Sequence, residues 1–347
     1  MSALPPPLPT RRAANNFDGV RLIAAAMVLV SHQFALTGRA EPAFFGVQTL
    51  GGLGLLMFFS ISGYLVSQSW LRSRSLRTFA LNRLLRIWPA FAVVTLLEVF
   101  VLGPLVSSLD VAAYLGDPRT WKFLSNLLLK LRYELPGVFD GNPYPHAVNG
   151  STWSIPVEVE CYIVLAVLGL LGVLRHRVPT ALIVALIVAH VFHARATGIA
   201  LAPLAEFGAF FGVGALVNVS GAAQSARAWP VATIATALGV VLVMAGQPYA
   251  ALVVAGPVLT IVLGQASTPV LNRAGRFGDC SYGLYLYAFP VQQVAMQFGA
   301  AELPFWTGVA MTATLTLGLA VGSWHGVERR ALGLKPTHVR NAPVATY

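Results

Sequence analysis

The chain has 347 residues, of which 56% are hydrophobic and only 10% are charged. Because a soluble domain carries about 25% charged residues, this composition excludes a large soluble domain and indicates a polytopic membrane protein. The formal net charge of +10 does not point to nucleic acid, since the basic residues of membrane proteins collect in cytoplasmic loops. We therefore expect no nucleic-acid partner.

Residues 1–14 are rich in proline and carry Arg11 and Arg12, which predicts a disordered cytoplasmic lead. They lack the apolar core and cleavage site of a signal peptide, so the first helix is expected to remain in the protein. About ten segments of roughly 20 apolar residues follow, the length that spans a bilayer. These segments are 17–36, 50–70, 84–104, 153–174, 178–195, 198–218, 228–247, 249–265, 281–299 and 304–325.

An even number of spans places both termini on one side of the membrane. If that side is the cytoplasm, sixteen of the 23 lysines and arginines fall in inner segments and six in outer ones. This asymmetry follows the positive-inside rule. The sequence therefore predicts an all-α polytopic membrane protein with about ten transmembrane helices, both termini cytoplasmic, and a cytoplasmic tail at 329–347.

The first span contains two ionisable residues, Arg21 and His32. They are eleven residues apart, so they share one helix face and are separated by about 16 Å along the axis. Such residues are costly in a bilayer and usually face a protein interior or a pathway. His32 is either a general base or a structural histidine hydrogen-bonded to a neighbouring helix. Asp18, three residues before Arg21, is placed for a local ion pair.

A second basic cluster opens the third span. Arg83 and Arg86 are neighbours three residues apart at its inner end. Guanidinium groups suit phosphates because their fork geometry allows bidentate contacts. The alternative is that the cluster only sets topology and anchors lipid head groups.

The longest connection, residues 105–152, faces outward in this orientation. Residues 120–135 mix apolar and basic side chains at helical spacing, which is typical of a helix that lies at the membrane surface. Residues 136–150 are rich in proline, glycine, asparagine and aspartate and are predicted to be a loop. A long outer loop is a natural place for binding residues.

The segment that enters the fourth span carries two carboxylates. Glu158 and Tyr162 share a helix face, whereas Glu160 points roughly the opposite way. At the outer depth, Glu158 is a candidate to orient and charge-stabilise His32, as the third member of a triad does for its histidine. The alternative is a buried glutamate paired with an arginine for packing.

The chain has two cysteines, Cys161 and Cys280. They fall on different predicted helices at different depths, so no disulfide is expected. No Cys-x-x-Cys pair and no cluster of cysteine and histidine indicates a metal site, so we expect no metal.

These segments resemble the membrane-bound acyltransferase 3 family, which makes O-acetyl modifications on bacterial surface polysaccharides and related glycans. The resemblance extends along nearly the whole chain. It is carried by NNFD at 15–18 followed by Arg21 and His32, FFSISGYL at 58–65, RLLRIWP at 83–89, GSTWSIPVE at 150–158, SYGLYLY at 281–287 followed by FP at 289–290, and VE at 327–328.

The resemblance implies an O-acetyltransferase in the inner (plasma) membrane, with residues 15–328 as its transmembrane acyltransferase domain. Acetyl-CoA would bind from the cytoplasm, with its phosphates near Arg83, Arg86 and Arg21. The thioester would lie near His32, which would act as base on an acceptor hydroxyl or as a transient acyl carrier, supported by Glu158. The acceptor would be a glycan or a lipid-linked sugar that arrives from the outer side.

The resemblance also implies supporting roles for a few side chains near the reacting groups. These are Asp18, Ser151, Trp153, Tyr162 and Tyr285. The chain departs from many relatives at Ala288, where they carry histidine or another polar residue, and no catalytic role is assigned there. It also departs at Val159, where many relatives repeat the glutamate, so we favour Glu158 and keep Glu160 as the second candidate.

A different class remains as the alternative: a transporter or flippase for a lipid-linked saccharide. It would need alternating access, and no inverted repeat is visible in the sequence. Membrane lipids surround the protein in either case. The sequence does not identify the acceptor. It also leaves the oligomeric state open, and a homo-oligomer is one of the possible states.

Overall fold

The computed structural model describes residues 15–73, 75–223 and 225–335. The predicted lead at 1–14 and most of the predicted tail, 336–347, lie outside the described residues. The helices, in chain order, are α1 (Phe17–Leu36), α2 (Leu50–Ser73), α3 (Leu76–Leu97), α4 (Val111–Gly116), α5 (Pro118–Phe123), α6 (Ser154–Leu170), α7 (Arg177–Thr197), α8 (Pro203–Ser220), α9 (Ser225–Met244), α10 (Pro248–Gln265), α11 (Ser281–Gln297) and α12 (Phe305–Ser323).

Two helices continue through π-helical turns. Helix α3 passes through Glu98–Leu102 into Gly103–Val106, and α12 passes through Trp324–Glu328 into Arg329–Gly333. Each turn contains a buried glutamate, Glu98 and Glu328 respectively. Single π-helical turns inside α-helices are frequent at functional sites.

Within the described ranges, nine helices are long and apolar enough to cross a membrane. The remaining predicted span, 281–299, is α11, which has 17 residues and buries most of its side chains in the bundle. In the part of the chain that is described there is no β-strand beyond isolated bridges. The prediction of an all-α polytopic membrane protein is confirmed.

Helix α1 lies at the centre of the bundle, packed against α2, α10, α11 and α12. Its contact with α2 is close because α2 presents glycine: a Cβ on Gly54 would lie 2.6 Å from the carbonyl oxygen of Ala24. Small residues at such crossings let two membrane helices approach closely.

Successive membrane helices run in opposite directions and define two faces of the bundle. We call the end at which α1 begins and α2 ends, near Phe17 and Ser73, the basic face. The opposite end, at which α3 ends and α6 begins, is the loop face, and residues 107–149 pack there.

Residues 107–149 fold into a compact cap on the loop face. Their apolar side chains form a cluster with the end of α3, comprising Val99, Val106, Tyr114, Phe123, Leu135, Val138, Phe139 and Val148. The predicted surface helix at 120–135 is shorter than expected. It ends with the 3₁₀ turn Leu124–Leu128, because Leu129 adopts a left-handed conformation and the Asn126 amide hydrogen-bonds both backbone groups of Arg132.

Candidate active site

A cavity of about 1000 Å³ reaches from the basic face into the bundle. Its walls come from α1, α2, α3, α6, the start of α11 and the segment 271–279. Among the described residues that line it, three are acidic and seven are basic. The basic ones are Arg21, Arg72, Arg83, Arg86, Arg273, Arg276 and Lys335. This excess of positive charge suits a polyanionic ligand.

Asp279 joins two of the predicted arginines. Its Oδ2 accepts hydrogen bonds from Arg86 Nη2 at 2.5 Å and from Arg21 Nη1 at 3.3 Å, and its Oδ1 accepts from Ser281 Oγ at 2.5 Å. Burial raises the pKa of Asp279, but the positive charges of Arg86 and Arg21 outweigh this effect and lower the pKa to about 2. The predicted pair between Asp18 and Arg21 is present but longer, at 3.9 Å.

The two arginines of α3 face tyrosines across the cavity wall. The guanidinium carbon of Arg83 lies 5.7 Å from the ring centre of Tyr162, and that of Arg86 lies 5.7 Å from the ring centre of Tyr282. The Nε of Arg83 is buried and has no hydrogen-bond partner among the described residues. A buried donor without a partner is costly, so this atom is a candidate contact for a ligand.

Glu158 lines the same cavity. Its Oε1 accepts hydrogen bonds from Tyr162 Oη at 2.5 Å and from Ser62 Oγ at 2.8 Å. Ser62, which the sequence reasoning did not single out, therefore belongs to this site. Glu160 is exposed instead, as expected for a residue on the opposite side of the helix.

His32 lies beyond the deep end of the cavity. That end is lined by Leu55, Phe58 and Tyr285, with Phe58 edge-on to Tyr285. Leu55 packs in one cluster with Val28, and His32 follows Val28 by one helical turn, about 6 Å along α1. The cavity therefore approaches His32 without being lined by it.

The imidazole of His32 packs edge-on against Phe289 of α11, with ring centres 5.1 Å apart. Its Nδ1 is buried, and no hydrogen bond joins the side chain to any described residue. A structural histidine would normally have such a partner. The unpartnered Nδ1 is therefore a candidate contact for a ligand.

The structure does not bring His32 and Glu158 together. Ser31 packs against Gly51 near the start of α2, whereas Glu158 bonds to Ser62, eleven residues further along that helix. Eleven residues of helix rise about 16 Å, so the expected direct contact between Glu158 and His32 is absent from the described structure.

The reason is that α6 begins inside the bundle rather than at its surface. The 3₁₀ turn Gly150–Trp153 is largely buried, and Ser151 and Thr152 are only 1% and 2% exposed. The turn is held by α11, because Tyr285 Oη donates to the Ser151 carbonyl at 2.5 Å and lies 2.6 Å from Ser154 Oγ. Trp153 packs against Phe207, with ring centres 5.4 Å apart.

A different carboxylate, Glu98, lies in the half of the bundle nearer the loop face. Its Oε1 accepts from Asn149 Nδ2 at 2.7 Å, and the same amide donates to the Leu286 carbonyl at 3.0 Å. Ser151 Oγ donates to Asn149 Oδ1 at 2.6 Å. In the sequence, Glu98 stands out as a carboxylate inside an apolar span, which is a sign of a functional residue. The sequence does not show which residue it pairs with, so it was not identified as part of a site.

The described residues contain no group of three or more His, Cys, Asp or Glu side chains that could hold a metal ion. Cys161 and Cys280 are buried and unpaired.

The fold and the cavity define a multi-pass membrane protein that can admit an anionic ligand at its basic face, towards the partly buried His32. Comparisons with known proteins are more specific. The acyltransferase domain model of the acyltransferase 3 family matches residues 15–325. The chain therefore belongs to this family and is an acyltransferase, as the sequence motifs predicted.

Two relatives are informative. The chain is 32% identical to an O-acetyl transferase of Shigella phage Sf6 over 338 residues, which cover 92% of this chain and 96% of the relative. It is 31% identical to Nodulation protein 10 of Rhizobium leguminosarum bv. viciae over 165 residues, 44% of each chain. No solved structure is significantly similar to the chain. Family and relatives together support O-acetyltransferase activity.

Proposed function

We propose that the protein transfers an acetyl group from cytoplasmic acetyl-CoA to a hydroxyl group of an extracytoplasmic glycan or lipid-linked sugar. The observation that carries the proposal is the basic cavity, which leads from one face of the bundle to within about one helical turn of His32. The basic face is cytoplasmic in this proposal, because most lysines and arginines lie on its side. The membrane is then the inner (plasma) membrane.

The donor fits the cavity by charge and by the apolar side chains at its deep end. Acetyl-CoA carries its phosphates at one end and its thioester at the end of a long, flexible arm. The phosphates would bind Arg83, Arg86 and Arg21, with the unpartnered Arg83 Nε as one donor. The arm would follow the apolar side chains towards Phe58 and Tyr285.

The chemical step needs a base and a hydroxyl group. His32 takes the proton of the acceptor hydroxyl as its oxygen attacks the thioester carbonyl carbon. The carbon–sulfur bond breaks, and the thiolate of CoA leaves and takes up the proton that His32 received. The acetyl group ends as an ester on the acceptor, and CoA leaves as a thiol.

We assign Glu158 a different role from the one that the sequence suggested. Glu158 bonds to Ser62 and Tyr162 in the donor cavity. It would therefore hold the Tyr162 ring in position beside Arg83 and would not contact the imidazole of His32. The side chains of Ser151 and Tyr285 would hold the start of α6 against α11, at the depth where the thioester arrives.

The test is acetyl-CoA binding and thioester turnover by the purified protein in nanodiscs, with wild type beside His32→Ala. We expect both proteins to bind acetyl-CoA and only the wild type to turn it over. A folded wild type that does not bind acetyl-CoA would contradict the donor assignment. Movement of a lipid-linked saccharide without any acyl donor would instead support the transporter alternative.

A further inference from the structure

A second, smaller cavity lies in the cap on the loop face. It has a volume of about 290 Å³. The residues that line it are Ser108, Leu109, Arg119, Glu134, Leu135, Gly137, Asp140 and His146. Small-molecule pockets usually measure about 300–1000 Å³, so this one suits a single small unit and not an extended ligand. We call it the cap pocket.

The charges of the cap pocket are mixed. Arg119 and His146 line the pocket together with the carboxylates of Glu134 and Asp140, and His146 Nδ1 lies 3.2 Å from Asp140 Oδ1. Arg119 is also ion-paired with Asp117, with its Nη2 2.7 Å from Asp117 Oδ2. Two carboxylates make the pocket unsuitable for a phosphate or another strong anion. Side chains that both donate and accept hydrogen bonds suit a neutral ligand with several hydroxyl groups.

The pocket is built on a folded scaffold. Ser108 N donates to the Gly137 carbonyl at 2.8 Å, and Ser107 Oγ donates to the Pro136 carbonyl at 2.7 Å. A side chain at position 137 would collide with this contact, because a Cβ there would lie 2.6 Å from Ser107 Oγ and the residue has a φ of +69°. The scaffold therefore holds the pocket walls in fixed positions.

His146 adopts a left-handed backbone conformation, with a φ of 63°. For a residue other than glycine this conformation is strained, and such residues cluster at ligand sites. The strain is maintained from α11, since Gln293 Nε2 donates to the carbonyls of Tyr144 at 2.8 Å and Ala147 at 2.7 Å. The segment that carries His146 is thus anchored to a helix of the bundle.

The same segment connects the cap pocket with His32. Tyr144 lies two residues before His146, and its ring centre is 6.1 Å from that of Phe289. The Phe289 ring in turn lies 5.1 Å from the imidazole of His32. Tyr144 is 45% exposed, so it can contact a ligand that enters from the loop face. An acceptor that extends from the cap pocket past Tyr144 would therefore follow this line of ring contacts towards His32.

We propose that the cap pocket is the acceptor subsite, and that it holds one neutral sugar unit while a hydroxyl group of the acceptor reaches His32. The carboxylates of Glu134 and Asp140 accept hydrogen bonds from the sugar hydroxyls, and Arg119 Nη1, the guanidinium nitrogen that does not bond Asp117, donates to the sugar oxygens. The inference rests on the proposed function, because it identifies where the second substrate of that reaction binds.

The experiment measures acetyl transfer from acetyl-CoA to methyl glycosides of glucose, galactose, rhamnose and N-acetylglucosamine, with hexane-1,6-diol as a hydroxyl compound that is not a sugar. The variant Glu134→Gln/Asp140→Asn keeps the shape of both side chains and removes their charge. The matched control is Glu302→Gln, because Glu302 is exposed near the loop-face end of α11 and lies outside the pocket.

We expect the double variant to raise the KM of the accepted glycoside at least tenfold, while its KM for acetyl-CoA and its kcat change less than twofold. The control should match the wild type. An unchanged glycoside KM in the double variant would overturn the subsite. Equal transfer to hexane-1,6-diol, or transfer to none of the glycosides while thioester turnover persists, would overturn the sugar assignment.

A second measurement does not depend on turnover. Ser108→Cys introduces a thiol of similar size into the pocket, and the native Cys161 and Cys280 are both buried. We expect the accepted glycoside to slow maleimide labelling at position 108 at least threefold and to leave labelling of Lys130→Cys, outside the pocket, unchanged. If no glycoside slows labelling at position 108, the subsite is overturned. Absence of His32-dependent thioester turnover would instead contradict the donor assignment.

Discussion

The basic cavity and the cap pocket differ in size, charge and depth. The cavity at the basic face measures about 1000 Å³ and collects seven basic residues, whereas the cap pocket measures about 290 Å³ and mixes both signs of charge. A basic cavity selects a polyanion, and a mixed pocket selects a neutral polar ligand. His32 lies beyond the deep end of the first cavity, and the ring contacts of Phe289 and Tyr144 connect it to the segment that carries His146 of the second.

The two regions are also held together differently. The basic cavity depends on ion pairs between distant segments, with Asp279 bonded to both Arg21 and Arg86. The loop-face region depends on neutral amides, with Asn149 and Gln293 joining the cap to α3 and α11. Substitutions at the basic face should therefore change charge and donor affinity, whereas those at the loop face should change acceptor position. Three predictions, in order of decreasing effect, test the basic-face side of this difference, and the cap-pocket variants described above test the loop-face side.

Asp279→Asn should cause the largest change, because it removes the charge that holds Arg21 and Arg86. Breaking a buried ion pair costs about 3–5 kcal/mol, and we expect about 3 kcal/mol because Glu328 remains 3.9 Å from Arg86. The folded-state pKa of Asp279, about 2, lies below its ordinary value of 3.8. Its stabilisation is therefore complete above about pH 4 and is lost as the pH falls towards 2.

Thermal unfolding in detergent, followed by tryptophan fluorescence, checks this prediction. The difference between wild type and Asp279→Asn should stay constant from pH 8 to pH 5. A difference that shrinks over this range would show that Asp279 is not held ionised by the two arginines.

Arg83→Gln should weaken acetyl-CoA binding without unfolding the protein. A hydrogen bond to a charged group contributes about 1.5–3 kcal/mol, which corresponds to roughly a 10- to 100-fold rise in Kd. The control is Arg227→Gln, which removes an equal charge from an exposed position outside the cavity. Equal losses of affinity in the two variants, measured by calorimetry, would mean that only general surface charge attracts the donor.

Glu158→Gln should have the smallest effect of the three. Glutamine can still accept hydrogen bonds from Ser62 and Tyr162, so we expect the turnover rate to fall by about fivefold, or ~1 kcal/mol, with a smaller change in donor affinity. Single-turnover kinetics of acetyl transfer checks this. A loss as large as that of His32→Ala would indicate that Glu158 and His32 act as a direct pair when substrate is bound.

Local patterns in the sequence predicted the membrane helices and singled out three arginines that line the basic cavity, Arg21, Arg83 and Arg86. Arg21 and His32 share a face because their spacing in one helix fixes it, and Arg83 and Arg86 are neighbours for the same reason. The partner of Arg21 and Arg86 could not be predicted, because Asp279 is 258 residues from Arg21 in the chain. Only the packing of α1, α3 and the segment before α11 brings these residues together.

The depth of α6 could not be predicted either. A hydropathy pattern gives the length of a span but not its position along the membrane normal. The start of α6 is set by buried hydrogen bonds with Tyr285 and Asn149, and this shift moves Glu158 away from His32 and towards Ser62. The cap pocket could not be predicted from the sequence either, because the residues that line it are up to 38 positions apart in a loop whose sequence has little periodicity.

The most direct test of the account is sided acetyl transfer in proteoliposomes of known orientation. Radiolabelled acetyl-CoA is supplied only at the basic face, and the accepted methyl glycoside is supplied either in the same compartment or only at the loop face. The account predicts that acetylated glycoside forms when the glycoside is at the loop face and that His32→Ala abolishes it. Product that forms only when both substrates share the basic-face compartment would contradict transfer across the bundle.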